Sequence, residues 1–164
     1  MLQTNTEQMP QVLRKWPDAT LKRNGKSEYA PATLRVPGVR LPDGWSPTVV
    51  TLLIETPPGF PGASPLPYFD TDETVMVLGY SPHHSVPLSS VKNRKNGTRF
   101  KWRVQAWNPS NDGLHTIVRV CLRRFWSAEE EVSRIRDLRE TLENAAEDWG
   151  RAYEAYDRQR RGGR

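Results

Sequence analysis

Twelve residues, Pro57-Pro58-Gly59-Phe60-Pro61-Gly62-Ala63-Ser64-Pro65-Leu66-Pro67-Tyr68, hold five prolines. Each proline fixes φ and removes a backbone donor, so the stretch is excluded from both helix interiors and central strands. It is a stiff, extended loop, and it divides the chain into parts with different periodicities.

Before the loop, β-branched and aromatic runs are cut by turns. Strands are predicted over Ala19 to Arg23, Ala32 to Val36 and Thr48 to Glu55, with a fourth after the loop over Glu73 to Leu78. Asn24-Gly25, Pro37-Gly38 and Pro42-Asp43-Gly44 are the turn signals between them. The pattern is that of an antiparallel meander. Ser81 to Asn96 is polar and turn-rich and is expected to run over the surface. From Thr98 to Val104, Arg99, Lys101 and Arg103 alternate with Phe100, Trp102 and Val104, the period of a half-buried strand.

Helical spacing takes over beyond Trp107. Leu114, Ile117, Val118, Cys121, Leu122 and Phe125 make one apolar stripe, with Asn111 or Asp112 as the expected N-cap. A second helix is signalled by Ser127 and Glu130, a Ser-x-x-Glu capping box, and runs to Arg161 with only Gly150 to interrupt it. Along it Ile135, Leu138, Leu142, Ala145, Trp149, Ala152 and Tyr156 recur at heptad spacing. At 1.5 Å per residue such a helix is on the order of 50 Å long. Part of it must fold back across the sheet or dock on another chain.

These patterns give an α+β class, an antiparallel meander sheet with C-terminal helices plus a long C-terminal heptad helix. The expected divisions are 1–18 as a short helix or tail stopped at Trp16-Pro17, 19–126 as the domain, and 127–164 as the long helix and basic tail. The single cysteine excludes an internal disulfide and offers no Cys-x-x-Cys metal spacing, so a reducing, cytoplasmic location is expected and no metal or cofactor is implied. No stretch has the roughly 18 consecutive apolar residues of a membrane span. A formal charge of +5 favours an acidic partner without choosing between protein and nucleic acid.

The order of strands, proline-rich loop, irregular flap, Trp-x-Pro and helices resembles the ubiquitin-conjugating (UBC) fold. Pro57-Pro58-Gly59-Phe60-Pro61 is similar to the proline loop after the third strand of that fold, and Trp107-Asn108-Pro109, with Leu114 and Thr116, to its Trp-Ser-Pro approach to the second helix. Leu41-Pro42-Asp43-Gly44-Trp45 and Trp107 through Thr116 are similar to a bacterial UBC-like family. Its members are encoded beside a ubiquitin-like modifier, an activating enzyme and a metalloprotease. The resemblance covers about residues 19–126 and implies, as partners, the ubiquitin-like modifier or the activating enzyme.

One departure governs the functional expectation. In the ordinary enzyme the catalytic cysteine lies about eight residues before the tryptophan of Trp-x-Pro, which in this chain is Arg99 beside Thr98. His83-His84-Ser85 occupies the region of the usual His-Pro-Asn without reproducing it. Cys121 shares the apolar helical stripe and reads as a buried hydrophobe rather than an activated thiolate. The expected role is therefore binding without catalysis.

Partner contacts are expected at Lys92, Arg94, Lys95, Arg99, Lys101 and Arg103, a basic run without an acid, and at Leu138, Leu142, Trp149 and Tyr156 on the heptad seam, which could also mediate self-association. The alternatives are an unorthodox nucleophile, either a flap hydroxyl between Ser81 and Thr98 or Cys121, and a nucleic-acid adaptor using the basic run. The ending Arg161-Gly162-Gly163-Arg164 resembles the tail of ubiquitin-like modifiers, set against a frayed basic terminus.

Overall fold

The computed structural model describes residues 3–102 and 106–162. The chain order is α1 (Asn5–Leu13), β1 (Thr20–Arg23), β2 (Ala32–Arg40), β3 (Trp45–Ser46), β4 (Val49–Thr56), β5 (Tyr68–Thr71), β6 (Met76–Val77), β7 (Ser85–Pro87), β8 (Thr98–Lys101), α2 (Leu114–Leu122) and α3 (Ala128–Gly162). Among the described residues, six strands form one antiparallel sheet in the order β1-β2-β4-β5-β8-β7, and β3 pairs with β6 in a second, two-stranded one. The α+β class and the antiparallel sheet match the expectation from periodicity.

Alternation sets which face of the sheet is covered. In β2, Ala32, Leu34 and Val36 point inward, and the register then shifts between Val36 and Val39. This irregularity at Pro37-Gly38 resets the phase, so Val39 and Leu41 face inward again. It also lets one strand run through a dipeptide whose sequence signals a turn.

Phe69 and Phe100 stack at 5.2 Å across β5 and β8, and Phe125 meets both edge-on. Trp45 packs edge-on against Phe125 at 5.4 Å and donates its Nε1–H to Trp126 O at 2.8 Å. This aromatic cluster joins the sheet to the segment between α2 and α3. The core draws Val12 from α1 and Ala128 from α3, as well as the strands and α2.

Three expectations need correction. The fourth strand of the meander is Tyr68–Thr71, which pairs with β4; Met76 and Val77 instead pair with Trp45 and Ser46. The flap is not simply an excursion over the surface, because Ser85–Pro87 forms an edge strand on β8 and Leu88 is fully buried. The N-cap of α2 is Gly113 rather than Asn111 or Asp112. Of the two courses open to α3, folding back across the sheet is not the one taken: Ile135 still packs on the core, and from 136 to 161 every side chain described is exposed.

Candidate functional site

The two motifs that carry the UBC resemblance touch each other. Trp107 lies 5.4 Å from the Phe60 ring and donates its Nε1–H to Pro61 O at 2.8 Å. The proline loop, unable to supply ladder donors, thus offers a free carbonyl to an indole 46 residues away. Beside this junction Asp112 Oδ2 accepts from Asn108 N at 2.8 Å and Gln8 Oε1 accepts from Leu114 N at 2.7 Å. Gln8 serves as the N-terminal cap that the local sequence lacks. A Cβ at Gly113 would stand 2.4 Å from Gln8 Oε1, so a larger residue there would have to displace this capping side chain. An open, polar cavity of about 660 Å³ lies over these elements, lined by Gln3, Gln8, Gln11, Pro61 and residues 109–113 and 115. His115 reaches it half-buried, with no hydrogen-bond partner at Nδ1.

No reactive thiol accompanies this junction. Cys121 is fully buried in α2, where burial pushes the thiol pKa well above its usual value. At the position that the resemblance assigns to the ordinary enzyme's cysteine, Thr98 and Arg99 are both committed to structure. Thr98 Oγ1 accepts from Val75 N at 2.8 Å, and Arg99 makes two hydrogen bonds to Asp70, at 2.7 and 3.0 Å. In the flap, Ser85 Oγ–H donates to Pro82 O at 2.6 Å.

The basic run is divided by the fold. Lys92 pairs with Glu55 at 2.6 Å and with Asp70 at 2.9 Å, while Arg99 pairs with Asp70 and lies 3.8 Å over the Tyr68 ring. Burial opposes the charge on Lys92, but hydrogen bonds to Glu55 and Asp70 outweigh it and raise the pKa. Arg99 is likewise held more firmly protonated, by its hydrogen bond to Asp70 foremost. Arg94, Lys95 and Lys101 are exposed. Arg103 lies outside the described residues, as do Val104, Gly163 and Arg164.

Sequence reading missed the acids that neutralise this run, because Asp70 meets Arg99 only through the register of β5 on β8. It also missed a clamp on the flap. Buried Glu131 accepts from His83 N at 2.5 Å and pairs with Arg124 at 3.2 Å, and Arg124 donates to His83 O. Both backbone polar groups of His83 are therefore held by side chains flanking the start of α3. Arg124 also stacks on Trp126, with Arg134 3.6 Å over the same ring.

The seam residues of α3 stand in solvent: Leu138 is 42% exposed, Leu142 60%, Trp149 78% and Tyr156 64%. Among the described residues no group of His, Cys, Asp and Glu has metal-binding geometry, and no helix is long and apolar enough to cross a membrane. Comparison of the chain with protein-family models, with curated proteins and with solved structures finds no match.

Proposed function

We propose that the protein is a UBC-like component of a bacterial ubiquitin-like conjugation system, and that it binds the modifier or its activating enzyme without carrying the acyl group itself. The observation that carries this reading is the state of its sole thiol. A transthiolating cysteine must be exposed and ionisable, and Cys121 is sealed in the apolar face of α2 with its pKa raised. Further support comes from topology: α1 precedes β1, β2, β4 and β5, which neighbour one another in that order, and the proline loop between β4 and β5 meets Trp107 ahead of α2.

Binding falls to the domain surface that stays accessible. Exposed Arg94, Lys95 and Lys101 speed encounter with an acidic partner, while Lys92 and Arg99 stiffen the strands that carry them. The test is incubation with the activating enzyme, ATP and the modifier of its own system. Binding by calorimetry without any covalent adduct on this chain is the expected result. An adduct released by hydroxylamine or thiol would overturn the non-catalytic reading, and absence of binding to either component would overturn the assignment to such a system.

A further inference from the structure

Beyond Arg139, whose guanidinium lies 5.6 Å over the Tyr80 ring, α3 leaves its own domain and runs about 35 Å into solvent. Its apolar face is too large to be incidental. A buried aromatic covers roughly 150 to 250 Å², so Trp149, Tyr153 and Tyr156 of two copies would have on the order of 800 Å² to hide. With the adjoining Leu142 and alanine surface, this reaches the roughly 1,000 Å² of a specific interface. Self-pairing therefore has enough area.

Three observations select how the second copy lies. Residues 140–148 carry four acids and no base, whereas 153–161 carry three arginines against two acids. Parallel pairing would set the acidic block beside itself, and antiparallel pairing with a stagger sets it beside the arginine-rich block. The second observation is side-chain size. In the antiparallel register that places Trp149 opposite Ala152 of the other copy, Tyr156 falls opposite Ala145, so both aromatic residues of the seam face a methyl group. The third is clearance. The seam side of Ile135 is occupied by its own core, so a partner helix must stop short of it. In this register residue 162 of one copy lies opposite Arg139, clear of Ile135.

We infer that α3 pairs with α3 of a second copy as an antiparallel two-stranded coiled coil centred at Gly150, with aromatic residues packed on alanines and the acidic block beside the arginine-rich end. The contact is isologous, closes on itself and leaves the two domains at opposite ends. It is independent of the conjugation reading, because it uses none of the domain surface.

Sedimentation equilibrium of the full chain should show a species of twice 18.8 kDa that weakens as salt rises. A chain that stays monomeric at about 100 μM would overturn the inference, since that bounds the association below any useful affinity. Ala152→Arg should loosen the dimer at least tenfold while leaving the domain's thermal transition in place. Register is read by mixing Leu142→Cys with Gln159→Cys under mild oxidation, given that native Cys121 is buried. A disulfide formed only between the two variants supports the register. Cross-linking of Leu142→Cys with itself indicates parallel pairing and overturns it.

Discussion

Asp70 is 2% exposed and meets two cations, Lys92 and Arg99, on the outer side of the sheet. A carboxylate so far from water is tolerated only while both partners stay. Replacing it by asparagine keeps the shape, leaves Arg99 without its counter-ion and leaves Lys92 with Glu55 alone. Asp70→Asn is expected to lower stability by roughly 2 to 3 kcal/mol, the low side for a broken buried pair because Lys92 retains some water. Denaturant midpoints of the two chains measure it. A second residue, His83, has a lowered pKa, first through burial and then through the charge of His84, while Glu131 opposes and Arg124 and Arg134 add to the lowering. The folded chain therefore resists a proton that the unfolded chain accepts. Stability is full above the ordinary histidine value of about 6.5 and declines as pH falls below it. The thermal midpoint should drop between about pH 7 and 5, and His83→Gln should flatten that slope. Neither effect was legible in the sequence. The basic run looked free because its acids lie on other strands, and His83 looked solvated because its clamp comes from residues 41 and 48 positions away.

At the level of elements, strong local periodicity was readable and weak periodicity was not. The apolar stripe of α2 gave the burial of Leu114, Ile117, Val118 and Cys121 correctly, and Thr98 to Lys101 alternates as its pattern demands. Short strands failed. Tyr68–Thr71 has all but its first residue buried, so alternation is erased, and Trp45–Ser46 is too short to have a period. Capping of α2 failed for a different reason, since its acceptor is Gln8 on another helix. The edge pair β7–β8 depends on one turn position. Gly97 has φ +116°, and a Cβ there would lie 2.5 Å from Thr71 O and 2.4 Å from Leu88. Gly97→Ala should cost roughly 2 to 4 kcal/mol through backbone strain and overpacking, read as a lower denaturation midpoint. Trp107→Phe preserves the ring contact and removes the bond to Pro61, a milder loss of about 1 kcal/mol.

On the scale of the whole molecule, the chain has one packed core and one long helix that leaves it. The core's sole thiol reports on the integrity of the former. Cys121 in the native protein should react with a thiol reagent only through global opening, so its modification rate should rise with denaturant in step with unfolding. Prompt modification in buffer alone would contradict the burial on which the non-catalytic reading rests. The length of α3 was plain from its uninterrupted helical spacing, but its departure from the domain was not. Heptad spacing says that a seam exists and is silent on what covers it.

The clamp at the foot of α3 has a mechanical meaning. Glu131 and Arg124 grip the peptide of His83, two residues before the edge strand, within a turn or two of where the helix departs. The root of the projecting helix and the approach to the edge strand are thus fastened by the same buried ion pair, so loosening one end of that pair loosens both.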